Sequence, residues 1–220
     1  MALDRSENPS PTCIFLTGVK HCGKTTVGRL LAGEWGVPFF DLDDLVEAAC
    51  ADETGIVGSC RDIYREYGKP AFLRYETEAA LRLAETARHA RESGSVAPVP
   101  GLEAIAALGG GTVENTEAMA VLKDFGLFVL LDAEPGELFE RIKRGGIPPF
   151  LRNGTGVPGG GIEEERHIYA RFLELYSRRM KLYRRQADII IDTRGKTPRE
   201  ITESTAREIA GRARGSGRHT

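Results

Sequence analysis

Five short apolar runs divide the chain, and each is separated from the next by stretches with helical periodicity. The runs cover residues 13–17, 37–41, 102–108, 127–132 and 187–192. A continuous apolar run of this length between turn residues is typical of a strand that is buried on both faces. Strands that alternate with helices along a chain predict a parallel sheet with helices on both sides. The pattern therefore predicts an α/β fold with three layers, α/β/α.

Helical periodicity predicts the connecting elements. The predicted helices cover residues 25–32, 56–67, 69–91, 115–125, 135–144, 163–186 and 198–212. A further helix is predicted to begin near Leu45 with Asp44 as its N-cap. Gly68 separates the helices 56–67 and 69–91. The helices on either side of Gly68 are expected to form a flap at one end of the sheet. Residues 145–162 are rich in glycine and proline, and a connection of this kind inside a compact domain is usually a lid. We expect a single domain over residues 13–213, a disordered lead-in at 1–12 and a disordered tail at 214–220.

The strongest chemical signal lies directly after the first predicted strand. Residues 18–25 read G-x-x-x-x-G-K-T, the phosphate-binding loop called Walker A, and Thr26 follows it. Gly18 and Gly23 permit a backbone that turns several N–H groups into one concavity, and the next helix adds the positive end of its dipole. Lys24 is expected to reach the β- and γ-phosphates of ATP, and the Thr25 hydroxyl to bind Mg²⁺.

Alternative interpretations of this loop are weaker. A glycine-rich turn before an ordinary helix would need no lysine and no threonine at these positions, whereas here all the fixed positions are filled in the expected strand–loop–helix context. Cys22 lies inside the loop, where a positive field could activate its thiol. We favour the interpretation that Cys22 contributes only its backbone to nucleotide binding.

Two acidic residues mark the end of the second predicted strand. Asp41 and Asp43 are two positions apart, and alternate residues at a strand end face the same side. Carboxylates at the carboxyl edge of a parallel sheet are placed to bind Mg²⁺ or to take a proton from a substrate hydroxyl. The structural alternative is that Asp43 or Asp44 simply caps the next helix. A glycine triplet, Gly109, Gly110 and Gly111, ends the third strand and permits a close approach of a ligand to the backbone.

Composition and charge exclude several classes of protein. The 220 residues carry a formal net charge of -2, so no basic surface for nucleic acid is predicted. No apolar run is long enough to span a membrane, and the N-terminus has no apolar signal region. The four cysteines show neither a C-x-x-C pair nor zinc spacing, which favours free thiols in a reducing compartment. We expect a cytoplasmic protein that works as a monomer.

Taken together, the order of these features resembles the shikimate kinase family, a group of small P-loop kinases. The matching stretches are residues 18–26, 40–43, 68–72 with Glu76, 108–111, 178–183, 187–188 and 191–192. The resemblance implies five parallel strands in the order 2-3-1-4-5. It also implies ATP-dependent phosphorylation of a ring hydroxyl of shikimate, with Mg²⁺.

The resemblance also implies a role for individual residues. Lys24 and the loop, including Cys22 and Thr26, bind the ATP phosphates, and Thr25 binds the metal. Asp41 lies near the metal and the reacting hydroxyl, and Asp43 bonds the acceptor's hydroxyls. The glycines 109–111 line the acceptor site. Arg179 matches an arginine that binds the acceptor carboxylate, and Arg141 matches a residue that lies against the adenine.

Two positions depart from the family pattern. Leu73 stands where the family has a second carboxylate-binding arginine, and Pro148 stands where it has a lid arginine that contacts both phosphate and acceptor. An arginine that neutralises charge in phosphoryl transfer is worth about 10³–10⁵ in rate, so we expect substitutes. The candidates are Arg61 or Arg65 for the first and Arg152, Arg144 or Lys143 for the second.

Three hypotheses about function follow. The first is a shikimate kinase. The second is a kinase of the same fold that acts on a different small hydroxylated acceptor, which an apolar Leu73 would suit. The third is a nucleotide-binding protein without turnover, which the missing lid arginine favours and the retained Asp41 and Asp43 oppose.

Overall fold

A single parallel sheet of five strands forms the centre of the fold. The computed structural model describes residues 12–90, 102–148, 151 and 161–215. The strands are β1 (Cys13–Thr17), β2 (Phe39–Asp41), β3 (Ala104–Ala107), β4 (Gly126–Asp132) and β5 (Ile189–Asp192). They pair in the order β2-β3-β1-β4-β5, and every pair is parallel. The predicted α/β class and the predicted order 2-3-1-4-5 are confirmed.

Seven helices connect or follow these strands in the described part of the chain. They are α1 (Lys24–Trp35), α2 (Leu42–Thr54), α3 (Cys60–Ala90), α4 (Thr116–Lys123), α5 (Pro135–Arg144), α6 (Ile162–Gln186) and α7 (Pro198–Gly215). A 3₁₀ turn at Thr112–Glu114 precedes α4. Helix α3 is bent at Gly68, whose φ of 75° is not helical, so the predicted break at this glycine is present. Its first part begins at Cys60, later than the predicted residue 56.

The sheet separates two apolar cores. Along β1, Ile14 and Leu16 face the core that contains α1, α5, α6 and α7, while Phe15 faces the core that contains α2, α3 and α4. Both faces of the strand are therefore buried, which explains why β1 reads as a continuous apolar run instead of an alternating one. No helix in the described ranges is both long and apolar enough to cross a membrane.

The start of α2 differs from the prediction. The helix begins at Leu42, and its N-cap is Asp41, whose side chain accepts a hydrogen bond from the backbone N–H of Asp43. Asp44 was expected to be the cap but lies inside the first turn. The strand ends so close to the helix that its last carboxylate already covers the free N–H groups of the first turn.

The ends of the domain also differ from the prediction at two points. Thr12 was assigned to a disordered lead-in, yet its backbone N–H and its hydroxyl both donate to the Phe125 carbonyl, at 3.1 and 2.7 Å. At the other end, α7 continues through Gly215, so the first residues of the predicted tail are helical. The predicted disorder of residues 1–11 and 216–220 lies outside the described residues, as does most of the predicted lid.

We predict opposite effects for two glycine-to-alanine changes in α1. A Cβ on Gly28 would overlap the Phe39 ring and lie 3.1 Å from Leu16, whereas a Cβ on Gly33 would meet no atom within 4 Å. Alanine favours a helix over glycine by about 1 kcal/mol, and overpacking costs about 1–3 kcal/mol. Gly33→Ala should therefore stabilise the fold and Gly28→Ala should destabilise it, as measured by urea unfolding. Equal effects of the two changes would contradict this account of the packing between α1 and β2.

Candidate active site

The phosphate-binding loop joins β1 to α1 and depends on two glycines with left-handed backbone. Gly18 has a φ of 140° and Gly23, the N-cap of α1, has a φ of 102°. A Cβ on Gly18 would lie 2.8 Å from the Cys22 sulfur and 2.9 Å from the Leu131 carbonyl oxygen. Residues with side chains rarely adopt such angles, so the loop can form this turn only with glycine at these positions.

Lys24 lies folded back into the loop. Its Nζ donates to the carbonyl oxygens of Gly18 and Val19, at 2.9 and 3.2 Å, and the residue is 8% exposed. The Cys22 side chain is buried beneath the loop, 3.9 Å from the same ammonium. The Cys22 thiol is therefore closed to a ligand, and its backbone N–H donates to the Val19 carbonyl oxygen at 3.2 Å.

A hydrogen bond links the phosphate-binding loop to the acidic strand end. The Thr25 hydroxyl donates to Oδ2 of Asp41 at 2.8 Å, while Oδ1 of Asp41 accepts the backbone N–H of Asp43 at 3.2 Å. Thr26, next along the first turn of α1, is exposed. Asp41 and Asp43 are thus neighbours, but through a helix cap and not through the alternation of a strand that the sequence analysis assumed.

Asp43 lies against the glycine triplet. Its Oδ1 is 2.7 Å from the position that a Cβ on Gly109 would occupy, so the carboxylate fits only because Gly109 has no side chain. Although Asp43 is open to solvent at the mouth of the site, protein atoms crowd its carboxyl. The loss of water around it, with a smaller effect from the charge of Asp41, raises its pKa above the usual range.

Glu76 is a buried carboxylate beside this site, and the sequence analysis gave it no role. It is 3% exposed, and its two oxygens accept hydrogen bonds from the Thr112 hydroxyl at 2.6 Å and from the Asn115 amide at 2.9 Å. Burial raises its pKa although both hydrogen bonds lower it. Glu76 lies in the middle of a helix, and the sequence alone does not indicate that residues following β3 bury its side chain.

Tyr183 joins the phosphate-binding loop to the glycine triplet. Its hydroxyl lies 2.8 Å from the Gly110 carbonyl oxygen and 3.1 Å from the Gly18 carbonyl oxygen, and the side chain is fully buried. Burial raises the pKa of its hydroxyl, which therefore stays a donor. Tyr183 belongs to one of the stretches that resemble the family, but the sequence did not indicate this bridge.

Arg179 borders the triplet from the other side. One of its terminal nitrogens is 3.4 Å from the position of a Cβ on Gly111. The same guanidinium donates through two nitrogens to one oxygen of Glu114, at 3.1 and 2.8 Å, and Arg178 donates to the other oxygen of Glu114 at 3.1 and 2.7 Å. This Arg178–Glu114–Arg179 cluster has a net charge of +1, so a positive charge remains for an anionic ligand.

Arg141 contacts the phosphate-binding loop from α5. Its guanidinium donates to the His21 carbonyl oxygen at 3.1 Å and forms an ion pair with Glu137 at 3.4 Å. His21 has a φ of 67°, an uncommon value for a residue with a side chain. Burial, together with the charges of Lys20, Lys24 and Arg141, lowers the pKa of the His21 ring.

Several of the predicted substitute cations are already paired. Arg65 forms an ion pair with Asp62, and Arg74, next to Leu73, forms one with Glu53. Lys143 is bonded to Glu140 and Glu165, each at 2.7 Å, and Arg144 donates to the Glu140 carbonyl oxygen at 3.3 Å. Arg152 lies outside the described residues. Among the described residues, these candidates are therefore engaged by acidic groups or by a carbonyl oxygen.

The chemistry of Thr25 and Asp41 fits a bound Mg²⁺. A hydroxyl and a carboxylate are hard oxygen ligands, and Mg²⁺ commonly takes one or two such groups and fills its other positions with phosphate oxygens and water. The two side chains are already 2.8 Å apart at the end of the phosphate-binding loop. Within the described ranges no cluster of three or more His, Cys, Asp or Glu is arranged to hold a metal by itself.

Comparison with known proteins decides the family. The model of the shikimate kinase family matches residues 20–210. The chain is 31% identical over 195 residues to the shikimate kinase of Thermodesulfovibrio yellowstonii, covering 89% of this chain and 93% of that protein. It is 32% identical over 197 residues to that of Paracidovorax citrulli, covering 89% and 91%. This chain belongs to the shikimate kinase family.

Solved structures agree with the fold. Shikimate kinase from Aquifex aeolicus matches with a TM-score of 0.62 at 25% identity, over 92% of this chain and 99% of that one. Shikimate kinase from Acinetobacter baumannii, solved in complex with shikimate, matches with a TM-score of 0.66 at 24% identity, over 93% and 95%. As a member of the shikimate kinase family, the protein is a phosphotransferase that acts on a hydroxyl group.

We predict that Glu76→Gln changes how stability depends on pH. Because the folded state raises the pKa of Glu76, its stabilising contribution is full below its ordinary value of 4.5 and is lost as pH rises through the raised value. Glutamine mimics the neutral acid, so the variant should match the wild type in acid and exceed it near neutral pH. The gain should be about 1.4 kcal/mol for each unit of pKa shift.

Urea unfolding at several pH values measures this difference, and Glu66→Gln, on the exposed side of α3, gives the background. A Glu76→Gln curve parallel to that of the wild type from pH 4 to 8 would show that the burial of Glu76 has no such effect.

Proposed function

We propose that the protein transfers the γ-phosphoryl group of ATP to a ring hydroxyl of shikimate, with Mg²⁺. The observation that supports this most is the 2.8 Å hydrogen bond between Thr25 and Asp41, because it brings the phosphate-binding loop and the acidic acceptor side to one edge of the sheet. Membership of the shikimate kinase family supports the choice of acceptor. That the protein works as a monomer in the cytoplasm stays a prediction from its sequence.

On the donor side, the free backbone N–H groups between Gly18 and Thr26 would surround the phosphates. Lys24 gives up its bonds to the Gly18 and Val19 carbonyl oxygens and turns its ammonium to the β- and γ-phosphates. Arg141 is held beside the loop by the His21 carbonyl, which supports its role against the adenine. These groups neutralise charge and fix position, which is most of what phosphoryl transfer needs.

The metal would be held by residues that connect the donor side to the acceptor side. Thr25 and Asp41 would hold Mg²⁺, which when bound neutralises charge on the transferred phosphate oxygens. The link from Asp41 to the Asp43 N–H keeps the two acids in a fixed arrangement. A shift of the Asp41 carboxylate would therefore also displace the backbone of Asp43.

On the acceptor side, the glycines 109–111, Asp43 and Arg179 line the site. The net charge of +1 on the Arg178–Glu114–Arg179 cluster is available to the carboxylate of shikimate. Arg178 thus compensates for the leucine at position 73, because without Arg178 the pair of Glu114 and Arg179 would be neutral. The terminal nitrogen of Arg179 that borders Gly111 places this charge beside the triplet.

The reaction joins an acceptor oxygen to phosphorus. The hydroxyl oxygen attacks the γ-phosphorus, the bond to the β,γ-bridging oxygen breaks, and its electron pair leaves on ADP. The hydroxyl proton passes to one of the two acids. Asp41 was the expected base, but a carboxylate that holds a metal ion is a weaker proton acceptor, whereas Asp43 lies against the glycine triplet and has a raised pKa. We therefore give Asp43 this role and Asp41 that of metal ligand.

The acceptor is tested by measuring ADP release with shikimate and with a panel of small hydroxy acids and sugars. Turnover that requires shikimate supports the proposal. Turnover with another acceptor alone would establish the second hypothesis, which Leu73 favours. Tight ATP binding without any acceptor-stimulated turnover would establish a nucleotide-binding protein that lacks kinase activity.

Lys24→Ala should abolish transfer and leave the fold intact. The loss of a full charge on the transferred phosphate is expected to lower kcat by about 10³-fold or more. The same assay measures the rate, and circular dichroism checks the fold. Near-normal turnover in this variant would contradict the role of Lys24.

Asp43→Asn and Asp44→Asn form a matched pair in the first turn of α2. Removal of the proton acceptor at position 43 should lower kcat by about 10²–10⁴-fold and leave ATP affinity nearly unchanged. Asp44 is exposed and has no role in the site, so its variant should keep full activity. Because the pKa of Asp43 is raised, the rate of the wild type should fall with decreasing pH before an ordinary aspartate is protonated. Equal rates for both variants would remove Asp43 from the mechanism.

A further inference from the structure

The missing lid arginine leaves a charge to be supplied at the boundary between donor and acceptor. The cations predicted to replace it are engaged where they are described: Lys143 by two glutamates and Arg144 by a carbonyl oxygen. Arg141 and Arg179 are likewise held by Glu137 and Glu114. A lysine in the phosphate-binding loop remains.

Lys20 lies at that boundary. Its backbone nitrogen is 3.0 Å and its Cβ 3.3 Å from the position that a Cβ on Gly110 would occupy, so the second residue after Gly18 packs directly against the glycine triplet. Because Tyr183 binds the carbonyls of Gly18 and Gly110 together, the root of the Lys20 side chain is fixed between the phosphate-binding loop and the acceptor site.

The charge of Lys20 is free to act there. The side chain is exposed, and within the described ranges it has no hydrogen bond or ion pair. Its charge already acts on groups on both sides, since it opposes the raised pKa of Asp43 and helps to lower that of His21. A lysine ammonium on a flexible four-carbon stem can move to a phosphate without breaking an existing contact.

We propose that Lys20 is a further catalytic residue of this chain, whose ammonium bridges the γ-phosphate and the acceptor in place of the missing lid arginine. The assignment rests on the proposed kinase reaction. Lys20 contributes charge and no proton: it stabilises the negative charge on the γ-phosphoryl oxygens while the new O–P bond forms and the bond to the bridging oxygen of ADP breaks. Lys24 does the same from the β-phosphate side, so the transferred group lies between two ammonium groups.

The test compares Lys20→Met, Lys20→Arg and Lys123→Met. Lys20→Met should lower kcat with ATP and shikimate by about 10²-fold or more, the usual loss for one group that stabilises transition-state charge. Affinity for a fluorescent ATP analogue and the melting temperature should change little. Lys20→Arg should restore most of the rate, because it restores the charge. Lys123→Met, at the exposed end of α4, should be fully active.

The outcomes separate the two proposals. An active wild type with an equally active Lys20→Met variant would overturn the role of Lys20 and leave the kinase reaction in place, and loss of turnover in Arg152→Ala would then assign the role to the lid. A wild type without turnover on any acceptor would overturn the proposed function and the role of Lys20 with it. A fall in kcat together with an equal loss of nucleotide affinity would show a binding role instead of a catalytic one.

Discussion

The active site depends on one buried hydroxyl that is shared by two loops. Tyr183 contacts the carbonyl oxygens of Gly18 and Gly110, which belong to the phosphate-binding loop after β1 and the triplet after β3. Because a buried polar group without a partner costs about 1–3 kcal/mol, a separation of the two loops from this hydroxyl would be opposed. Because β1 and β3 are also paired along their length, the two halves of the site approach each other on a rigid base.

A second link also crosses the site. The Thr25 hydroxyl, the Asp41 carboxylate and the Asp43 N–H form a chain of hydrogen bonds from α1 to α2. The acids at this edge, with Glu76 beneath them, would repel one another if nothing positive were near. The lysines of the loop and the arginines of α6 supply that balance, and the Arg178–Glu114–Arg179 cluster keeps a net charge of +1 beside the glycine triplet.

Local patterns were enough to predict the strands and the phosphate-binding loop, whereas the strand order was predicted from the resemblance to the shikimate kinase family. Glycine is required at positions 18 and 23 by the left-handed backbone of the loop itself. The strands are apolar along their length because both of their faces are buried. Contacts between distant segments could not be predicted in this way. Glu114 and Arg178 are 64 residues apart, Tyr183 and Gly18 are 165 apart, and no local rule pairs them. The N-cap of α2 was misplaced because three acidic residues within four positions satisfy the same rule, and only the end of β2 decides between them.

The left-handed conformation of His21 has a mechanical consequence. Such an angle costs a residue with a side chain about 1–3 kcal/mol, and it persists only where the surroundings impose it. The hydrogen bond from Arg141 to the His21 carbonyl is one contact that imposes it. The loop that would receive phosphate is thereby tied to the helix that would receive the base. A displacement of α5 would therefore be passed to the phosphate-binding loop through the His21 carbonyl.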